Sequence, residues 1–135
     1  MVTARVRWVG KERFVVQSPS GHLVALDSDR STNGAPRPME LLLVALGACT
    51  ATDVVSILAK KRQKLDSLEI EVSGERAAEP PRMWTGLEIV YKLCGTLDES
   101  GVRHAIQLSD GKYCSVAAML RKAAAITYRI EIDHG

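Results

Sequence analysis

Alternation of apolar and polar residues predicts three short strands at the start of the chain. Residues 3–9 place Val6 and Trp8 on one face of a half-buried strand. Two similar runs follow at residues 13–17 and 22–26, each after a turn that contains glycine. Three short strands joined by tight turns are typical of an antiparallel meander.

The longest apolar segment, residues 37–63, predicts a long helix around which the rest of the chain is organised. Pro38 and Glu40 suit its first turn, where a proline loses no hydrogen bond and a carboxylate interacts favourably with the helix dipole. Apolar residues occupy nearly the whole circumference, as in a helix buried on most sides. The uncharged run 41–52 is shorter than the roughly 20 residues that cross a bilayer. We therefore expect a core helix and no membrane insertion.

The second half of the chain mixes strands and helices in groups. Alternating residues predict strands at 68–74, 86–95 and 128–132, while 98–110 and 115–125 are compatible with helices. Because strands and helices do not alternate strictly, the pattern favours an α+β fold with a mainly antiparallel sheet over a doubly wound parallel one.

Length and composition are those of an ordinary soluble domain. The 135 residues predict one domain over 1–135, with 25% charged residues, 46% hydrophobic residues and a net charge of +2. The basic cluster 60–64 is short and lacks aromatic residues, so it caps the helix rather than binding nucleic acid. With no secretory signal and three cysteines, we expect a reducing, cytoplasmic setting. No cysteine or histidine spacing predicts a metal site.

The long helix creates a packing problem for a single chain. A helix that is apolar on most sides needs more cover than one modest sheet provides, and exposed apolar patches usually mark protein–protein interfaces. We therefore expect a homodimer with the central helices near its two-fold axis.

Cys49 lies in the middle of the long helix, with Thr52 and Asp53 on its face at spacings of three and four residues. A buried structural thiol is one interpretation, because free cysteine is among the most buried residue types. A reactive thiol is the other, and it requires a lowered pKa and access to solvent.

The other two cysteines lie in different settings. Cys114 is at or just before the start of a helix, near Lys112, so local electrostatics make it look more activated than Cys49. Cys94 lies on the outer face of its strand without an activating neighbour, and we interpret it as a bystander.

Two segments, PMELLLVALGACTATDVVSIL and KYCSVAAMLRKA, together resemble the OsmC/Ohr superfamily (osmotically inducible protein C and organic hydroperoxide resistance proteins), in its YhfA-like branch. The resemblance extends over essentially the full length. It implies an OsmC-like α+β fold with two intertwined chains and active sites at their interface. It also implies thiol-dependent reduction of hydroperoxides, with no metal, flavin or other cofactor.

The resemblance implies roles for individual residues. Cys49 matches the peroxidatic cysteine and Cys114 the resolving cysteine, which reverses the order suggested by local electrostatics. An external dithiol would restore both thiols after each cycle.

The residues that support the thiolate in the family's peroxidases are matched less closely. Those proteins place a glutamate directly after the proline, whereas here Met39 follows the proline and the carboxylate is Glu40. One residue on a helix is about 100° of rotation, so Glu40 need not face the same pocket. Arg30 is the candidate for the family's arginine, and Arg37 is a second choice.

Two functions follow as hypotheses, beside a third possibility of a scaffold whose thiols are only core residues. One is a thiol-dependent, two-cysteine hydroperoxide reductase that acts on organic hydroperoxides in oxidative-stress defence. The alternative is a non-enzymatic dimer that binds a small apolar or lipid-like ligand between its subunits, which Met39 favours by making the pocket more apolar.

Overall fold

A computed structural model describes residues 1–135, which divide into two compact units, Met1–Leu42 and Leu43–Gly135. Each unit has its own three-stranded sheet. The prediction of one domain over the whole chain stays a prediction.

The first unit contains the predicted meander. Strands β1 (Arg5–Trp8), β2 (Arg13–Gln17) and β3 (Leu23–Asp27) pair antiparallel in the order β1-β2-β3, which confirms the three strands and their arrangement. The expectation that the first strand is half-buried is wrong for the single chain, because Val6 and Trp8 are each 67% exposed.

A buried carboxylate orders the loop that follows β3. Asp27 accepts hydrogen bonds from the Thr32 hydroxyl at 2.6 Å and from the Gly34 N–H at 3.0 Å. These bonds hold the pKa of Asp27 below its ordinary value. The loop predicted from its polar composition is therefore an ordered one.

The long helix α1 comprises Pro38–Lys60, with the proline as its first residue. Its buried residues, spaced four apart, are Leu46, Thr50, Val54 and Leu58. The 23-residue helix is long and apolar enough, by length and composition, to cross a membrane, a test that core helices of soluble proteins also pass. The short uncharged run at residues 41–52 therefore does not by itself distinguish a core helix from a membrane-spanning helix.

The second sheet has the order β4-β5-β6, with β4 at Lys64–Arg76, β5 at Trp84–Thr96 and β6 at Ala125–Asp133. The β4–β5 pair is antiparallel and the β5–β6 pair is parallel. The expectation of a mainly antiparallel sheet system is confirmed, and the parallel pair arises because the chain crosses over through helices between β5 and β6.

Three short helical elements make this crossover: α2 (Glu99–Leu108), a π-helical turn (Ser109–Tyr113) and α3 (Ser115–Leu120). The α2 helix starts at its N-cap, Asp98, whose side chain accepts the Gly101 N–H. The second predicted helix ends five residues earlier than the predicted bound of 125, since Ala125 already belongs to β6. Alanine's helix propensity is overridden there by pairing with β5.

The core of the second unit lies between its sheet and its helices. Inward-facing residues of β5 are nearly fully buried together with residues of α1 and α2. The inward-facing set predicted for this strand, which the structure confirms, is Leu87, Ile89, Tyr91 and Leu93.

Candidate functional site

Cys49 is partly buried on α1, and its sulfur lies 3.8 Å from the Ser115 hydroxyl at the start of α3. Two residues earlier, Gly47 lets the helix approach β4, because a Cβ atom at this position would lie 3.2 Å from the Val72 side chain. Gly47 therefore sets how closely α1 approaches the sheet, whereas Cys49, two residues later, lies on a different side of the helix.

Cys114 is buried at the N-cap of α3, and its side chain is 3% exposed. Its N–H donates to the Ser109 carbonyl at 2.8 Å, which closes the π-helical turn. Its sulfur accepts the Ala117 N–H at 3.4 Å, as an N-cap side chain does. The hydrogen bonds of its N–H and of its sulfur therefore fix the position of Cys114 at the start of α3.

The two thiols, far apart in sequence, meet in the structure. The Cys114 side chain interacts with the Cys49 sulfur and lowers the pKa of Cys49. The Ser115 hydroxyl lies 3.8 Å from the same sulfur, and the N–H groups of Ser115 and Val116 are also directed at it. All three cysteines are free thiols.

These contacts determine the pKa of Cys49. Burial is the largest single influence and would raise the pKa, but donors from Val116, Cys114 and Ser115 together outweigh it and lower the pKa below that of an ordinary cysteine. The groups that lower it most are donors at the start of α3, not an arginine.

The pKa of Cys114 is raised to about 11, mainly by burial, with smaller contributions from the neighbouring Cys49 sulfur and the Asp53 carboxylate. The expectation from local sequence, that Cys114 is the more activated thiol, is therefore wrong. A helix start was correctly predicted at Cys114, but the N–H groups of Ser115 and Val116 lower the pKa of Cys49, and only the Ala117 N–H is bound to Cys114 itself. Only the packing of α3 against α1 decides which thiol receives them.

A buried chain of hydroxyl groups lies beside the thiols. The Thr50 hydroxyl is 2.7 Å from the Tyr91 hydroxyl and 2.8 Å from that of Ser109, and Ser109 donates to Asp53 Oδ2 at 2.8 Å. Burial raises the pKa of Tyr91 to about 12, so its hydroxyl remains protonated. Of the two polar residues predicted on the face of Cys49, Asp53 joins this chain, whereas Thr52 donates to its own helix.

Three members of this network were not predicted from the sequence: Thr50, Tyr91 and Ser109. Two signals could have identified members of it. Thr50 interrupts the apolar stripe of α1, and Tyr91 occupies an inward position of β5, where a phenol needs a partner.

Glu40 and its neighbouring arginine form a pair of their own at the start of α1. Arg37 Nη2 lies 2.6 Å from Glu40 Oε1, and the Arg37 N–H donates to Glu40 Oε2 at 3.2 Å. Arg30 is exposed and makes no ion pair. Support of the Cys49 thiolate by Arg30 or Glu40 stays a prediction.

Cys94 lies apart from Cys49 and Cys114. It is on the outer face of β5, opposite Ser67 on β4 and Asp133 on β6. No group of three or more His, Cys, Asp or Glu side chains in the chain is arranged to hold a metal ion.

Comparison with known proteins places this geometry in a family. A family model described as OsmC-like protein matches residues 31–129. The chain belongs to the OsmC family. Its relatives include Protein YhfA of Escherichia coli strain K12, which is 44% identical over 130 residues, or 96% of each chain. The resemblance to the YhfA-like branch is thereby confirmed.

Solved structures share the OsmC fold. A hypothetical protein from Aquifex aeolicus VF5 is 29% identical, with a TM-score of 0.85, and the match covers 99% of this chain and 98% of that one. The organic hydroperoxide resistance protein OhrB of Bacillus subtilis is 14% identical, with a TM-score of 0.67, over 97% and 98%. At 14% identity the likeness to OhrB is one of fold. The predicted α+β, OsmC-like fold is confirmed.

Proposed function

We propose that this OsmC-family protein is a two-cysteine hydroperoxide reductase that acts on organic hydroperoxides. The observation that carries the proposal is the contact between two thiols with opposite pKa shifts. Cys49 has a lowered pKa and some access to solvent, while Cys114 is buried with its pKa raised to about 11. One thiol is suited to attack as a thiolate, and the other to remain protonated until it is needed.

The first step is attack of the Cys49 thiolate on the O–O bond of the hydroperoxide. The sulfur gains the terminal oxygen and becomes a sulfenic acid, and the O–O bond breaks. The leaving alkoxide takes a proton and departs as an alcohol. Cysteine sulfur is thereby oxidised and the peroxide is reduced by two electrons.

The second step joins the two thiols. The Cys114 sulfur attacks the sulfenic sulfur of Cys49, an S–S bond forms, and the sulfenic oxygen leaves as water with the thiol proton. An external dithiol then reduces the disulfide by exchange and becomes a disulfide itself. Over the cycle, one hydroperoxide and one dithiol become an alcohol, water and the oxidised dithiol.

Stopped-flow kinetics tests this proposal directly. With a dithiol reductant, the protein should consume cumene hydroperoxide faster than hydrogen peroxide and much faster than the reductant alone. Cys49→Ser should abolish the reaction, and Cys114→Ser should leave a single turnover that stops at the sulfenic acid. Cys94→Ser is the matched control and should turn over normally. If neither peroxide is consumed above the rate with free dithiol, the protein is not a peroxidase.

The apolar surface of the second unit favours a second candidate function, the binding of a small apolar ligand between two subunits. The exposed fractions are 63% for Val44, 48% for Val55 and 75% for Met119. If the protein is a binding module, the wild type and the Cys49→Ser variant should bind a fluorescent fatty acid analogue equally well. Loss of peroxide turnover without loss of this binding would separate the two functions.

The same surface supports a homodimer as the working assembly, because exposed apolar side chains on helices usually mark a protein–protein interface. A cytoplasmic location also belongs to this proposal, since the cycle depends on free thiols and on an external dithiol.

A further inference from the structure

Ser109 connects the segment that carries Cys114 to the helix that carries Cys49. Its side chain, with no exposed surface, contacts Thr50 at 2.8 Å and donates to Asp53 Oδ2 at 2.8 Å. Its carbonyl accepts the Cys114 N–H at 2.8 Å. Both α1 contacts are within one helical turn of Cys49, since they follow it by one and four residues.

The direction of each hydrogen bond follows from the single hydroxyl proton that each residue of the chain can donate. Ser109 has one hydroxyl proton and gives it to Asp53, so Thr50 must donate to Ser109. Thr50 has then used its own proton, so Tyr91 must donate to Thr50. The chain runs in one direction and ends on the carboxylate, the strongest acceptor in it.

The π-helical turn Ser109–Tyr113 is therefore fastened at both ends. Its first residue is bound to α1 through Thr50 and Asp53, and the segment just after it, Cys114 and Ser115, lies against Cys49, with the Ser115 hydroxyl 3.8 Å from the Cys49 sulfur. Single π-helical turns are rare in proteins, and those that occur are often found at functional sites. Here the turn connects Ser109, which is bound to α1, with Cys114, which lies beside the Cys49 thiol on the same helix.

We propose that Ser109 and Asp53 are positioning residues that hold Cys114 against Cys49 and so favour disulfide formation between them. The kinetic part of this inference depends on the proposed peroxidase function. The equilibrium part does not, because the same disulfide forms with oxidised glutathione as the oxidant. Cys49 displaces one glutathione and Cys114 displaces the second, so the protein loses two electrons and two glutathione thiols are released.

The equilibrium experiment measures the fraction of disulfide in full-length protein over a series of glutathione redox buffers. Asp53→Asn, which keeps the shape but loses the charge, should lower the effective concentration of Cys114 at Cys49 about fivefold. Ser109→Ala should lower it about tenfold or more, because it removes both contacts to α1. Asp53 is partly exposed, so its variant tests the proposal even if Ser109→Ala fails to fold.

Two variants are matched controls. Ser100→Ala removes a similar serine–carboxylate bond, to Asp98 at the start of α2. Tyr91→Phe removes the hydroxyl at the far end of the chain and keeps the bonds of Ser109. Both should change the effective concentration less than about twofold, as expected for bonds that do not hold the turn. An equal loss in the controls, or no loss in Asp53→Asn, would overturn the proposal.

The kinetic readout separates positioning from general damage. In Asp53→Asn, sulfenic acid should form on Cys49 at the wild-type rate but disappear about fivefold more slowly, because only the second step needs Cys114 in place. Slowing of both steps together would indicate a merely structural role. A changed glutathione equilibrium in a protein without peroxide turnover would support positioning and reject the peroxidase.

Discussion

At the scale of single residues, identical side chains acquire opposite character from their surroundings. The Cys49 sulfur receives donors from the start of α3 and from Cys114, while the Cys114 sulfur is enclosed and faces a neighbouring sulfur and a carboxylate. A donor to a sulfur favours its thiolate, whereas burial and nearby negative charge favour the thiol. The two cysteines therefore differ in reactivity although each lies at a helix.

This difference predicts the pH dependence of alkylation by iodoacetamide, read by mass spectrometry. Cys49 should react with a midpoint below that of an ordinary exposed cysteine, since its pKa is lowered. Cys114 should stay unmodified until the pH approaches about 11, because its thiol is the protonated form below that value.

A pair of variants tests the cause of this shift. Cys114→Ser keeps a donor to Cys49 and should preserve its low midpoint, while Cys114→Ala removes the donor and should move the midpoint upward. An identical midpoint in both variants would show that the Cys114 proton does not stabilise the thiolate.

At the scale of elements, α1 carries a polar residue in its buried stripe. Thr50 is as buried as Leu46 and Val54, one turn to either side, and its hydroxyl is satisfied by Tyr91 and Ser109. Burying a polar group costs free energy unless it is hydrogen-bonded. A buried threonine at this position therefore needs hydrogen-bond partners, which are Tyr91 on β5 and Ser109 at the start of the π-helical turn.

We predict that Thr50→Val lowers the free energy of unfolding by about 1–3 kcal/mol although it keeps the side-chain shape, because it leaves buried hydroxyls without a partner. Thr52→Val is the matched control on the same helix. Its hydroxyl is exposed and donates only to the Ala48 carbonyl, so the change should stay within about 0.5 kcal/mol. Urea unfolding at one fixed protein concentration measures both, and equal costs would contradict the role given to Thr50.

At the scale of the whole molecule, apolar side chains remain uncovered in the single chain. Trp8 in the first unit and Val44 and Met119 in the second are more than half exposed. A second copy of the chain would cover such surface, as the apolar circumference of the long helix led us to expect.

We predict a homodimer, so sedimentation at micromolar concentration should give about twice the chain mass of 14.7 kDa. Val44→Lys should shift the protein toward the monomer, because a buried unpaired charge costs several kcal/mol. Thr127→Lys, on the exposed face of β6, should remain dimeric. A wild-type protein that sediments as a monomer would exclude the dimer.

The fold was largely predictable because its signals are local. Alternation identified the inward face of β5, and Pro38 marked the start of α1 to the residue. Alanine-rich residues before β6 misled the prediction, since helix propensity is weak against strand pairing. Tertiary context also made β4 and β6 longer than their alternating runs.

Local sequence patterns were sufficient to predict the strands, the helices and a helix start at Cys114. Only the tertiary structure decided that the donors of that helix reach Cys49, and that Ser109 binds Asp53 across 56 residues. A pKa depends on the groups within a few ångströms, and those groups come from distant parts of the chain. Periodicity reports which face of an element is buried, but not which partner it meets there.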